Sequence, residues 1–224
     1  MKRVGLLSDT HACWDERYLQ YFEHCDEIWH AGDIGSVEVA EKLAAFKPLR
    51  AVYGNVDGME LRQMFPEVLR FEVEGAEVLM KHIGGYPGKY DPSIRAELMA
   101  RPPKLFISGH SHILKVKYDQ KLGLLHINPG AAGNNGFQKV RTLVRFEIDG
   151  GKFQNLEVIE LGAKSLEFRV KGVCHRAICK NAKMRIFINA KMQKCKDVRS
   201  DLGSEADGCA EEDAVEQHIS GIFS

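Results

Sequence analysis

The sequence predicts an α/β fold in which two β-sheets lie face to face with helices outside. Three observations carry this. Residues 4–53 alternate strand, helix, strand, helix, strand, the signature of a parallel sheet. From residue 68 onward most β runs follow one another through short turns, as antiparallel strands do. Finally, four apolar runs end on a polar motif: Asp9-Thr10-His11, Gly32-Asp33, Gly54-Asn55-Val56-Asp57 and Gly109-His110-Ser111-His112. Ligands bind at the carboxyl ends of strands in an open α/β sheet, so these endings are expected to converge on one crevice.

Val4–Leu7 is an apolar run and reads as a buried strand, with Ser8-Asp9-Thr10-His11 leaving its end. Asp15 is placed to cap a helix through about Cys25, with Tyr18, Leu19 and Phe22 inward. Strand 27–30 delivers Asp33. Ser36 caps a second helix, in which Val37, Ala40, Leu43, Ala44 and Phe46 recur at helical spacing, and which stops before Pro48. Leu49–Tyr53 is the third strand, delivering Asn55 and Asp57. Val68–Val73 and Ala76–Lys81 form a hairpin about Glu74-Gly75 that ends on His82. Asp91-Pro92 opens a helix to about Ala100, proline being favoured at the first helical position. Leu105–Ser108 runs into the His-x-His loop. Further β runs follow at 113–118, 123–127 and 142–149, the last turned by Gly150-Gly151 into 152–160.

Composition is that of an ordinary globular chain, 44% hydrophobic and 28% charged over 224 residues, enough for one domain with an appendage. A formal charge of zero removes the general electrostatic case for nucleic acid or membrane as partner. No run approaches the roughly 18 apolar residues of a membrane helix. Met1-Lys2-Arg3-Val4 enters a strand at once, so a cytoplasmic protein without a secretory signal is expected. The charge is unevenly spread. Residues 1–163 carry 20 Lys/Arg against 22 Asp/Glu, residues 165–196 carry nine basic residues and only Glu167, and 197–217 carry eight acids and only Arg199. The chain therefore divides into a domain over 1–162 and a tail over 163–224, expected to be poorly ordered. Cys174, His175, Cys179 and Cys195 match no standard zinc-finger spacing and read as free thiols.

Asp9/His11 and His110/His112 are i, i+2 pairs in loops after strands, so both members of each pair can face one cavity. With Asp33, Asn55 and His82 they make seven candidate ligands, too many for one tetrahedral ion and suited to two ions sharing a bridge. Singly, Asp9 reads as a helix cap and Asn55 or Asp57 as turn formers; their joint occurrence at successive strand ends is what points to metal. Four imidazoles among oxygen donors favour Mn, Fe, Zn or Ni over Mg. Two aspartates neutralise only half the charge of two dications, so the pocket stays electropositive and attracts phosphate. A water shared by the ions would become hydroxide near neutral pH, the nucleophile for in-line attack on phosphorus. His30 and His126 lie within strands and read as structural, and His24 as a solvated helix residue.

In this order, Asp9-x-His11, Gly32-Asp33, Gly54-Asn55-x-Asp57, His82 and Gly109-His110-x-His112 resemble the motifs of the calcineurin-like metallophosphoesterase superfamily. The short chain and Asn128-Pro129-Gly130 resemble, within it, the small prokaryotic phosphodiesterases of the YfcE type. The resemblance covers residues 1 to about 162. It implies a four-layer α-β-β-α sandwich with two mixed sheets and a dinuclear centre, most simply of Mn. One ion would take Asp9, His11, Asp33 and His112, and the other Asp33, Asn55, His82 and His110. The expected activity is a metal-dependent phosphodiesterase acting on a small phosphodiester, with Asn55, Asp57 and His82 at the reacting group. A phosphomonoesterase or nuclease is the alternative, and a homo-oligomer is compatible with all of this. Many superfamily members carry His after the Asn of the third motif as general acid; this chain has Val56. A contrasting class is the metal-poor interaction scaffold, as in the eukaryotic retromer subunit that resembles this family. There the first-motif histidine is replaced, whereas His11 is present here.

Overall fold

The computed structural model describes residues 1–162 and the pair Arg185–Ile186; the expected tail and its cysteines otherwise lie outside the described residues. The first half contains β1 (Lys2–Leu7), α1 (Arg17–Phe22), β2 (Glu27–His30), α2 (Val37–Phe46), β3 (Leu49–Ala51) and α3 (Met59–Met64). It is followed by β4 (Val68–Val73), β5 (Ala76–Lys81), the short β6 (Gly85–Tyr86) and β7 (Lys89–Tyr90), and α4 (Pro92–Ala100). The remainder is β: β8 (Leu105–Ile107), β9 (Leu114–Asp119), β10 (Leu124–Pro129), β11 (Thr142–Asp149), β12 (Lys152–Glu160) and β13 (Arg185–Ile186).

Two mixed sheets result. One has the order β13-β12-β11-β1-β2-β3 and the other β4-β5-β8-β10-β9. Val4, Leu6, Trp29, Val144 and Phe146 of the first sheet meet Val78, Met80, Leu105, Ile107 and Ile127 of the second in one buried cluster. The outer face of the first sheet packs Leu7 and Ile28 against Tyr18 and Phe22 of α1, Val39, Ala40 and Leu43 of α2, and Leu61 of α3. The outer face of the second packs Leu79 and Phe106 against Ile94 and Leu98 of α4. These clusters make the four layers α-β-β-α. Among the described residues no helix is long and apolar enough to cross a membrane.

Several boundaries differ from the sequence expectation. The first helix spans only Arg17–Phe22 and its cap position is Glu16, without a side-chain cap bond. Asp15 instead accepts the Arg17 N–H and holds the guanidinium groups of Arg17 and Arg141. Helix α3 carries a single buried residue, Leu61, and no side-chain cap. Its sequence thus lacks both the apolar period and the cap by which a helix is recognised. Ser36 and Asp91 do cap α2 and α4, accepting the N–H groups of Val39 and Ser93.

The strand registers place the site. Leu7 pairs with His30 and His30 with Ala51 in the first sheet, and Met80 pairs with Ile107 in the second. Within each sheet these strands therefore end together, and the loops that follow meet across the sheets, His110 N–H donating to Asp9 Oδ2.

Candidate metal centre

The ladder continues past the strand ends. Asp9 N–H donates to Gly32 O and His11 N–H to Asp33 O, both at 3.0 Å, while Gly109 N–H donates to His82 O at 2.9 Å. Asp9, His11, Asp33, His110 and His112 all turn through the left-handed region, with φ between 48° and 65°. Asp and His tolerate this region better than most residues, but each such position still costs on the order of 1 kcal/mol, and such strain concentrates at functional sites. Gly54 lies so near that a Cβ there would strike Asp33 Oδ1, and one on Gly32 would lie 2.6 Å from the His82 ring. Close backbone approach, available only to glycine, brings the two carboxylate and imidazole groups together.

Six of the seven expected ligands fall into two groups: Asp9, His11 and His112, and Asp33, His82 and His110, with donor atoms in each group within 4.8 Å of one another. Asp33 Oδ2 is 3.1 Å from His82 Nε2 and 3.9 Å from His11 Nε2, so it faces both groups. Asp9 Oδ1 has a parallel place, 3.2 Å from His112 Nε2 and 3.9 Å from His82 Nε2. Yet Asp9 Oδ1 and His82 Nε2 are buried without a hydrogen-bond partner. Unpaired burial costs about 1–3 kcal/mol per group, a cost that a cation held by these atoms would remove. The other oxygens are anchored, Asp9 Oδ2 by His110 N–H and Asp33 Oδ1 by Val56 N–H.

The electrostatics favour positive charge. The Asp9 carboxylate, whose Oδ1 lies 3.2 Å from its Nε2, pushes His112 up to about 8. Burial opposes charge on His82, but Asp33 and Asp9 outweigh it and raise its pKa. Burial opposes ionisation of Asp33 as well, and the His82 contact outweighs it and lowers the pKa. The imidazole orientations are fixed from behind: His82 Nδ1 sits 2.7 Å from Ala31 O, and His112 Nδ1 sits 2.9 Å from Gln138 Oε1. Each Nδ1–H donates outward, leaving Nε2 for the pocket. Gln138, in a polar loop 26 residues from its histidine, carries no signal in the sequence for this role.

Asn55 is exposed and borders a cleft beside His82. Asp57, expected at the reacting group, is engaged with backbone amides. It is buried, and its carboxylate accepts the N–H groups of Ile34 at 3.2 Å, Gly35 at 2.7 Å and Gly54 at 2.8 Å. It therefore ties the Asp33 loop to the Asn55 loop. Asn128 does the same for the His-x-His loop, donating to Gly109 O at 2.7 Å and accepting the Gly130 N–H. His30 and His126 are fully buried, and burial lowers each to about 4. His30 accepts from Gly32 N–H and bonds Thr10, so it is a neutral strut. Val56 is 51% exposed at the rim.

Comparison with known proteins agrees with this geometry. Residues 1–151 match the family model described as the calcineurin-like phosphoesterase superfamily domain. A protein described as a probable metallophosphoesterase from Methanothermobacter thermautotrophicus is 30% identical over 177 residues, covering 74% of this chain and 98% of that one. Similar solved structures include a novel archaeal phosphodiesterase, with TM-score 0.56, 20% identity, and coverage of 71% of this chain and 99% of that one. Wild-type Vps29 from Entamoeba histolytica complexed with Zn2+ has TM-score 0.57 and 17% identity, covering 70% of this chain and 98% of that one. At such identities the two structures speak for the fold alone, while the family model and the archaeal relative speak for descent. The chain belongs to the calcineurin-like phosphoesterase superfamily and is a metallophosphoesterase, a hydrolase of phosphoric esters.

Proposed function

We propose that this chain is a phosphodiesterase whose centre holds two divalent ions, Mn in the first instance, with Fe, Ni, Zn and Mg as alternatives. The reading rests on the two ligand groups flanking Asp33, in which Asp9 Oδ1 and His82 Nε2 are buried without partners. Asp9, His11 and His112 would hold one ion, His82, His110 and the exposed amide of Asn55 the other, and Asp33, which faces both groups, would serve both. When bound, such a pair supplies Lewis-acid polarisation of a phosphoryl oxygen and a hydroxide nucleophile near neutral pH.

The chain's own residues set the geometry. The carbonyl of Ala31 and the side chain of Gln138 keep His82 and His112 in the tautomer that presents Nε2. As a ligand Asn55 would contribute a neutral oxygen and so would leave the field at a bound phosphate positive. Val56 offers no proton to the departing oxygen, and Asp57 is committed to three backbone amides. Diesters with stable leaving groups fit such a site better than monoesters of alkyl alcohols.

The test is metal analysis of the purified full chain, followed by a screen of phosphodiesters and monoesters with Mn added. Two metal equivalents and a preference for diesters are expected. Asp33→Asn should abolish turnover and empty both positions, whereas Asp9→Asn should empty one. Near-normal turnover of Asp33→Asn with two ions bound would overturn the bridge, and a preference for monoesters would overturn the diesterase reading.

A further inference from the structure

A cleft of 380 Å³ opens beside Asn55 and His82, lined further by Tyr53, Arg62, Glu67, Lys81, Asp91 and Ser93. It lies within the size range of small-ligand sites and is far larger than one phosphoryl group needs. What it would hold follows from its hydrogen-bond inventory.

Among the described residues, three of its four carboxylate oxygens are engaged, Asp91 Oδ2 being the exception. Glu67 Oε1 accepts from Lys81 at 2.8 Å and Oε2 from the Tyr53 hydroxyl at 3.2 Å. Asp91 caps α4, taking the Ser93 N–H and hydroxyl on Oδ1. Its donors are in surplus. An ammonium carries three N–H groups and a guanidinium five. Among the described residues Lys81 has Glu67 as its one hydrogen-bond acceptor. Arg62 gives Nε–H to Asp57 O at 2.7 Å and an Nη2–H to Asn55 O at 3.2 Å. It rests 4.8 Å over the Tyr53 ring. Among the described residues it forms no ion pair, since both its acceptors are neutral carbonyls. The Lys81 side chain is only 8% exposed while that of Glu67 is 57% exposed, so the cation is desolvated more than its counter-ion. Burying an ammonium with a solvated partner is costly unless a further anion arrives.

We infer that this cleft is a subsite for a second anionic group, a phosphoryl or a carboxylate, carried by the substrate away from the phosphorus that is attacked. Lys81 and Arg62 are its recognition residues. This rests on the phosphodiesterase reading and narrows its substrate to esters bearing another negative charge.

The experiment compares kcat/KM of the Mn-loaded full chain for 4-nitrophenyl phenyl phosphate and for the same diester with a carboxylate, a phosphoryl or a trimethylammonium group on the phenyl ring. At least one anionic diester should exceed the unsubstituted one by roughly tenfold, the span of one or two charge-assisted hydrogen bonds, and the ammonium diester should fall below it. The carboxylate and phosphoryl arms decide which anion fits. In Lys81→Gln, and in Lys81→Gln/Glu67→Gln where no unpaired carboxylate is left, the preference should shrink several-fold. As a ratio within one preparation, it is independent of the folded fraction. Equal turnover of all four diesters, or a preference unchanged in both variants, overturns the subsite and leaves the diesterase reading standing. No turnover of any of them overturns both.

Discussion

Gln138 Oε1 lies 2.9 Å from Nδ1 of His112, and its amide nitrogen donates to Gly133 O and Asn135 O. The glutamine is thus held by its own loop and in turn holds the imidazole, whose Nε2 must stay unprotonated to take a cation. Its counterpart at His82 is a backbone carbonyl, which substitution cannot remove. Gln138→Leu should therefore weaken metal at the Asp9–His11–His112 group, by about 10–100-fold as is usual for such supporting bonds. Gln138→Glu should retain it. Chelator competition with Mn or Zn reads both, and equal affinity in wild type and Gln138→Leu would remove the supporting role.

Asp57 accepts three backbone N–H groups that belong to the Asp33 and Asn55 loops. Asparagine keeps the shape but turns one acceptor into a donor facing amide hydrogens. Asp57→Asn should cost about 2 kcal/mol or more of stability, the scale of losing hydrogen bonds to a buried charge. Activity should fall through lost metal affinity, while the dependence of rate on leaving-group pKa stays as in the wild type. A steeper leaving-group dependence in this variant would instead restore Asp57 as a proton donor.

Asp15 joins Arg17 at 2.6 Å and Arg141 at 2.9 Å, tying α1 to the loop before β11. Its hydrogen bond with Arg17, aided by Arg141, holds the carboxyl at about 2 against an ordinary 3.8. The folded state thus binds the proton less tightly than the unfolded chain. Its stabilisation is complete above the unfolded value and lost as pH falls through the folded one. Asp15→Asn should cost about 1–2 kcal/mol near neutrality. The gap between the two proteins should close between pH 4 and pH 2. Thermal unfolding of both across that range measures it, and a gap independent of pH would mean that packing rather than charge is lost.

Much of the site could be read from residues because strand ends are legible. An apolar run followed by Gly-Asp or Gly-His announces both the strand and what it delivers, and the parallel register then aligns those deliveries. Ser36 and Asp91 were legible as caps for the same reason: a side-chain acceptor beside a helical period has one common use. What could not be read depends on tertiary contact. Asp15 has the composition of a cap but is drawn to Arg141, which lies 126 residues away. Asp57 sits two residues after Asn55 yet turns to the Ile34 and Gly35 amides of another loop. The positive φ of Asp9, His11, Asp33, His110 and His112 leaves no mark at all, since each residue type is allowed there only because neighbouring loops hold it.

Val56 donates its N–H to Asp33 Oδ1 at 2.9 Å while the residue is 51% exposed, so the position is beside the centre and open. No proton donor occupies it. The departing oxygen must then take its proton from water or leave as an anion, which an aryl oxide tolerates and an alkoxide does not. Loss of a positioned acid typically costs about 10²- to 10⁴-fold. Aryl diesters should accordingly outpace alkyl diesters by a wide margin, with rate falling steeply as leaving-group pKa rises. Val56→His should help alkyl substrates more than aryl ones, because an imidazole from this exposed backbone position has room to turn toward the phosphate. The measurement is kcat/KM over a diester series of graded leaving-group pKa, for both proteins. A flat dependence in the wild type, with chemistry shown to limit the rate, would place an acid elsewhere. Since Asp57 is bound to three amides and His82 is proposed as a metal ligand, the strand pair Gly85–Tyr86 and Lys89–Tyr90 would be the next place to look.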